Sequence, residues 1–277
     1  VQESIFVRDG EHFLPTAHAR GPWSPDGLHG GAPAALLTGA FEQMEPGADL
    51  RMARIGIEYL RPATFAPMEL STRIVRPGRR VQELAGELRA GGEVICRASA
   101  MRVQAVPADL PRPEGATPGG QGDRGPAASS GWREEPLPPP SAGRRSSFAL
   151  NSADVQSFAA TAMEMRWLGD PWALGPGCVW MRMRLPLVPG ETLTPLIRAA
   201  AVADFGNGVS AALPFDRFLF INADLTIHLA RQPVGEWIAI DARTLLEPGG
   251  SGLSESVLHD EGGPFARAFQ TLVVGRR

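Results

Sequence analysis

Few stretches of this chain combine residue types able to do chemistry, and the most pointed is His29-Gly30-Gly31, which opens a run of small and apolar residues. A helix that begins at paired glycines leaves its first backbone N–H groups unsatisfied, and such donors suit an anion or a developing oxyanion. The histidine beside them could be catalytic or could simply support the turn. Asp204, before Phe205-Gly206-Asn207-Gly208, closes a second apolar stretch and reads by itself as a cap or turn residue. Asp224 and His228 share a parity, so a strand would set both on one face as a candidate acid/base pair. Arg76-Pro77-Gly78-Arg79-Arg80 offers guanidinium forks that fit phosphate, or a solvated hairpin end. The two cysteines, Cys96 and Cys178, are too few for a disulfide scaffold and sit in no zinc-spaced cluster.

These residues need elements to position them. From Gly27 to Met44 the chain reads as a glycine turn feeding a helix, with Pro33 suited to the first turn. Leu36, Leu37, Ala40, Phe41 and Met44 recur at helical spacing. Ala32, Ala34, Ala35, Gly39 and Ala40 are small, so a sheet can wrap the helix closely. Ahead of it, residues 4–18 read as a short strand and turn around Asp9-Gly10, and residues 19–28 as a Gly/Pro-rich approach loop. After it, Met52 to Leu60 alternates, with Ala53, Ile55, Ile57 and Tyr59 on one parity. Met68 to Arg76 follows, then Arg79 to Arg89 and Glu93 to Val103, divided by the hairpin signal Ala90-Gly91-Gly92. One helix and a meander of antiparallel strands make an α+β layer.

The 277 residues are 43% hydrophobic and 21% charged, ordinary globular composition with enough material for one large core or two smaller ones. A net charge of −3 with interspersed signs argues against nucleic acid and against an anionic membrane surface. No apolar run approaches a membrane span, and Val1 to Asp9 lacks the order of a signal peptide, so the expected location is the cytoplasm. Residues 105–147, with Pro111-Arg112-Pro113, Gly119-Gly120 and Pro138-Pro139-Pro140, read as a linker and a domain boundary.

The second half echoes the first. Ile55-Gly56-Ile57-Glu58-Tyr59-Leu60-Arg61-Pro62 matches Leu225-Thr226-Ile227-His228-Leu229-Ala230-Arg231-Gln232-Pro233 with one insertion. Glu69 to Arg76 matches Trp237 to Thr244, and Gly91 to Ala98 matches Gly262 to Ala268. The second helix falls on Leu193 to Asp204, with Thr194 as N-cap and Pro195 at its first position. Ala100 takes the repeat position of Gln270, so the copies are not equivalent and one site per chain is expected.

A helix after Gly-Gly, a strand ending Tyr59-Leu60-Arg61-Pro62 and a hairpin leading into a long last strand resemble the hotdog fold. The doubled form, with Asp204 on the second helix, resembles the bacterial acyl-CoA thioesterase II family and its thioesterase-like relatives. The resemblance implies an α+β double hotdog: residues 1–104 as one unit, 105–147 as a Pro/Gly-rich linker and 148–277 as the other. It implies hydrolysis of acyl-CoA to free acid and CoA by a water held by Asp204, Asn222 and Gln270. At Asn222 the family carries Thr or Ser, a departure that bears on efficiency. His29, Gly30, Gly31 and Gly206 are then expected to line the reacting centre as substrate-binding residues. No metal and no redox cofactor is implied. The partner implied is acyl-CoA, with no nucleic acid and no membrane; a homodimer is the one assembly considered.

Strict alternation puts Asn222 with Asp224, Thr226 and His228, opposite Leu225, Ile227 and Leu229. Asn222 therefore needs a bulge or a pre-strand position to reach Asp204. Two other readings stand beside hydrolysis. A hydratase or dehydratase would use Asp224 and His228, but the expected Asp, Asn-Pro and His pattern is missing. A non-catalytic acyl-thioester binder would account for Asn222.

Overall fold

The computed structural model describes residues 3–45, 49–105, 136–146 and 156–277. Short strands β1 (Phe6–Asp9) and β2 (His12–Pro15) precede helix α1 (Gly31–Gln43), and β3 (Leu50–Tyr59), β4 (Met68–Arg76), β5 (Val81–Ala90) and β6 (Glu93–Gln104) follow. Beyond them lie β7 (Arg144–Arg145), β8 (Met163–Trp167), β9 (Gly177–Met183), α2 (Pro195–Ala203) and α3 (Gly206–Val209). Strands β10 (Phe218–Asn222), β11 (Asp224–Leu229), β12 (Ile238–Glu247), β13 (Ser251–Asp260) and β14 (Gly263–Arg276) complete the chain.

The described strands form one continuous sheet in the order β1-β2-β4-β5-β6-β3-β11-β14-β13-β12-β9-β8-β7, with β10 on β14. The order reads nearly the same from either end because each half contributes the same meander around a helix, which is the double hotdog architecture. The halves meet where β3 pairs antiparallel with β11, Gly56 opposite Thr226, Ile55 opposite Ile227 and Ile57 opposite Leu225. If Gly56 and Thr226 are equivalent repeat positions, this pairing maps onto itself under exchange of the halves. The duplication read from the sequence is thus built into the register. Likewise Ala100 lies beside Ile55, in the place that exchange of the halves gives to Gln270.

Helix α1 is small and apolar on nearly every side, and nearly every side is buried. Gly39 lets the second helix approach: a Cβ there would stand 3.2 Å from Ile197 Cδ1. The last carbonyls of α1 are met by Arg102, which donates to Met44 O at 2.9 Å, to Phe41 O, and to Gln82 Oε1 at 3.0 Å. Helix α2 starts as expected: Thr194 Oγ1 accepts the Ile197 N–H at 3.1 Å, and Pro195 follows it. The same hydroxyl donates to Glu42 Oε2 at 2.5 Å, tying the start of α2 to the end of α1. Burial pushes the Glu42 carboxyl above its ordinary value, an effect the Thr194 hydrogen bond and Arg102 only partly offset. One hydrophobic cluster runs through both halves, from Ile5 and Phe41 to Leu258 and Ala268.

Within the stretch whose composition reads as linker, residues 136–146 pack on the second half. Arg144 and Arg145 pair with β8, Leu137 is buried, and Trp180 Nε1 donates to Pro138 O at 2.8 Å. Prolines lack an N–H, so here they cover apolar surface from outside the ladder instead of extending it. The rest of that stretch, residues 106–135 and 147, lies outside the described residues. Strands β8 and β9, which the sequence reading did not single out, are largely buried; in β8 Met163, Met165 and Trp167 alternate with Glu164 and Arg166, and Glu164 accepts from Arg166 and from Arg182 of β9.

Candidate active site

Asp204 caps the C-terminal end of α2 and is 3% exposed. Three elements converge on its carboxylate. From the end of β10, Asn222 Nδ2 donates to Oδ1 at 2.8 Å. From the end of β3, the Tyr59 hydroxyl lies 3.0 Å from the same oxygen and 3.1 Å from Gly30 O. From the turn before α1, His29 Nδ1 lies 3.1 Å from Oδ2. The Gly31 N–H also approaches that Nδ1, at 3.0 Å. A protonated Nδ1 would donate to Asp204; a bare Nδ1 would accept from Gly31. The His29 ring packs against Phe158 and Phe205, with centroids at 5.0 and 4.2 Å, and those two rings stack on each other at 5.9 Å.

The backbone explains how Asn222 gets there. Strand β10 runs along β14 with Asn222 opposite Leu272, whereas β11 runs along it with Thr226 opposite Phe269. The register slips by one residue between them, at Ala223, whose N–H donates to Thr271 O at 2.9 Å. This bulge turns Asn222 toward Asp204 while Leu225 and Ile227 keep the buried face. Asp224 pins it: its Oδ1 accepts the Thr271 N–H at 2.6 Å. The Asn222 carbonyl oxygen has no partner among the described residues.

Gln270 is buried but does not touch the carboxylate. Its Oε1 accepts the Asn207 N–H at 2.9 Å and its Nε2 donates to the backbone Asp204 O at 3.1 Å. It therefore holds the turn that carries Asp204. Gly206 sits on this hidden side too, where a Cβ would come within 2.7 Å of Gln270 Oε1 and 2.8 Å of Ser256 Oγ. The glycine-rich turn is a short helix, and its Asn207 and Gly208, not Gly206, face open space.

That space is a cavity of about 590 Å³. His29, Gly30, Tyr59, Asp204 and Asn222 form its polar end, and Trp23, Leu60, Phe215, Leu219, Ile221 and Val273 supply apolar wall. Such volume and lining suit a flexible apolar chain with a polar head. Gly30 has no room for a side chain, since a Cβ would lie 2.7 Å from Asp204 Oδ2. Its N–H has no acceptor among the described residues, whereas the Gly31 N–H is turned to His29. Of the four residues expected as substrate-binding, His29 and Gly30 line this cavity, while Gly31 and Gly206 do not.

Burial, reinforced by the Asp204 charge, pushes the Tyr59 hydroxyl well above its ordinary value and the Cys96 thiol up to about 12. Tyr59 thus stays a hydrogen-bond donor and Cys96 stays a thiol. Tyr59 is the contributor that the sequence reading did not assign; its parity with Ile55 and Ile57, toward the helices, was the available signal. Asp224 and His228 lie on β11, opposite Glu58 and Arg54, and do not line the cavity. Arg76 to Arg80 end the β4–β5 hairpin beside Val103 and Gln104, the far end of β6 from Cys96. No metal-binding group of His, Cys, Asp and Glu occurs among the described residues, and no helix there is long and apolar enough to cross a membrane.

Comparison with solved structures shows the same fold along nearly the whole chain. A thioesterase II from Thermobifida fusca matches with 20% identity over 98% of this chain and 95% of its own, TM-score 0.67. A hot dog fold protein of unknown function from Alicyclobacillus acidocaldarius matches with 18% identity over 98% and 95%, TM-score 0.68. An acyl-CoA thioesterase II from Mycobacterium marinum matches with 16% identity over 100% and 95%, TM-score 0.61. No curated protein matches by sequence. Residues 19–103 match the family profile described as the acyl-CoA thioesterase N-terminal domain, and residues 133–274 the one described as its C-terminal domain. With both domains present in order, the chain belongs to the acyl-CoA thioesterase family.

Proposed function

We propose that the chain hydrolyses acyl-CoA to a free acid and CoA, with Asp204 as general base. The observation that carries this reading is the buried Asp204 carboxylate, set by Asn222 at the polar end of an otherwise apolar cavity. A thioester carbonyl is already electrophilic, so the protein's task is to aim a water and accept its proton. One hydrogen of that water would go to the Asp204 carboxylate and the other to the unpartnered Asn222 carbonyl oxygen. The water's lone pair then faces the acyl carbon. Asn222 supplies an acceptor as Thr or Ser would, and its amide also fixes Oδ1. The Gly30 N–H, without an acceptor among the described residues, would meet the developing oxyanion, a contribution typically worth ~10²–10³-fold. Collapse of the tetrahedral intermediate breaks the C–S bond, and the proton taken by Asp204 is available to the departing thiolate. Gln270 acts through the Asp204 turn, as a positioning residue.

The test is thiol release from a panel of acyl-CoAs of varied chain length, with Asp204→Ala alongside. The expected result is turnover that falls by ~10²–10⁴-fold in the variant. Binding of acyl-CoA with no release by the unaltered protein would favour a binder, and water addition to an enoyl-CoA a hydratase.

A further inference from the structure

The two oxygens of Asp204 are not equally open. Oδ1 faces the Asn222 amide at 2.8 Å and the Tyr59 hydroxyl at 3.0 Å, two donors for its two lone pairs. The lone pair left for a water is on Oδ2, and the side chain beside that oxygen is His29, with Nδ1 at 3.1 Å. The Gly31 N–H donates to the same Nδ1 at 3.0 Å. A backbone N–H cannot accept, so this bond leaves Nδ1 bare and puts the ring hydrogen on Nε2. Nε2 has no partner among the described residues and is not sealed in, and the ring lines the cavity. Both glycines are needed for the approach: a Cβ on Gly30 would lie 2.7 Å from Oδ2, and one on Gly31 3.1 Å from Nδ1. Phe158 and Phe205 pack on the imidazole and fix its plane.

We propose that His29 is a second catalytic residue, whose Nε2–H protonates the departing sulfur while Asp204 replenishes the ring through Nδ1. The proposal rests on the reading that Asp204 takes a proton from the attacking water. As the water oxygen bonds to the acyl carbon, one of its hydrogens passes to Asp204 Oδ2, which then faces the bare Nδ1. When the C–S bond breaks, its electron pair stays on sulfur. Sulfur takes the Nε2 hydrogen, and the Oδ2 hydrogen moves to Nδ1. One proton enters the pair from water and one leaves as the thiol. Asp204 is again a carboxylate, and the neutral ring carries its hydrogen on Nδ1. Exchange with solvent through the cavity returns that hydrogen to Nε2. A thiolate formed here would sit in an apolar cavity beside a carboxylate, and both oppose its charge. Cys96, paired with Tyr59 in the sheet, is a local gauge: burial and the Asp204 charge push its thiol up to about 12. Gly30, whose N–H would meet the oxyanion, is the next residue, so the imidazole stands beside the reacting carbon. The sequence left His29 between a catalytic and a turn-supporting role; Nδ1 fills the second and Nε2 is free for the first.

The experiment is steady-state hydrolysis of two esters with the same acyl group by the full chain and by His29→Asn. One ester is the acyl-CoA; the other is a nitrothiophenyl thioester, whose thiolate leaves without a proton. Asn places its amide where Nδ1 stood and nothing at Nε2, so it keeps a group beside Asp204 and deletes the acid. Melting temperature is the folding control, and His29→Ser is read in the same way if the Asn variant does not fold. The expected result is a fall in kcat of ~10²-fold or more on acyl-CoA, and a loss smaller by roughly tenfold or more on the aryl ester. Equal losses on both esters would make His29 a support for the turn and overturn the proposal, with Asp204 retained as base. An unchanged acyl-CoA rate in the variant overturns it as well. No turnover of either ester by the unaltered chain removes this proposal and the hydrolytic reading together.

Discussion

At the scale of single residues the site is a carboxylate with its surroundings assigned. Oδ1 of Asp204 meets the Asn222 amide and the Tyr59 hydroxyl, and Oδ2 meets His29. In the proposed mechanism the water is met by the side-chain carbonyl oxygen of Asn222, so deletion and replacement should differ. Asn222→Ala removes both the amide on Asp204 and the acceptor, and kcat is expected to fall by roughly tenfold to a hundredfold. Asn222→Thr restores a hydroxyl that can do both tasks in turn, and should retain more of the rate than Asn222→Ala. Steady-state kinetics on one acyl-CoA checks the order; equal loss in both variants would show that a hydroxyl cannot stand in for the amide, and full rate in both would remove Asn222 from the mechanism.

At the scale of elements, the position of each functional residue follows from a strand end, a helix end or a bulge. The bulge at Ala223 is held by Asp224, so an acid that looked like half of a hydratase pair is a backbone clamp. A similar clamp stands at the β13–β14 hairpin. Asp260 accepts both Arg231 nitrogens at 2.6 Å, the Val234 N–H at 3.0 Å and the Gly262 N–H at 2.9 Å. Burial would raise this carboxyl, but the Arg231 and backbone bonds together outweigh it and hold it below its ordinary value. A depressed folded-state value means stability that is full above the ordinary carboxyl range and fades as pH falls through the folded value. Asp260→Asn is expected to cost about 2–3 kcal/mol at neutral pH, moderated because Arg231 is partly exposed. Denaturant titrations should show the gap narrowing under acid, below about pH 4. A gap constant with pH would show that the charge is not what matters there.

At the scale of the whole molecule, the two halves share one sheet and one core. Ile55, Ile57, Leu225 and Ile227 are all buried across the β3–β11 seam, and the same hydrophobic cluster continues into both sides. The site also draws on both: His29, Gly30 and Tyr59 come from the first half, Asp204, Asn222 and Gln270 from the second. The chain should therefore unfold in one cooperative transition, and Ile227→Ala should lower it by about 2–5 kcal/mol without splitting it. Calorimetry checks this; two resolved transitions would mean that the halves are independently stable.

Much of this was legible in the sequence, because helix and strand periods, the Thr194-Pro195 start and the repeat of Ile55 to Pro62 in Leu225 to Pro233 are local patterns. Local steric and burial preferences set which residues share a face, and so the antiparallel meander and its repetition could be read in advance, whereas the joining of two copies was implied by the resemblance to the hotdog fold. The contacts among distant residues were a different matter. That Tyr59 completes the Asp204 site, that Gln270 holds a turn, and that Gly206 packs away from the cavity depend on one-residue register slips and on which atoms fall within 3 Å. Those quantities arise only when elements far apart in the chain are packed together, and no local preference encodes them.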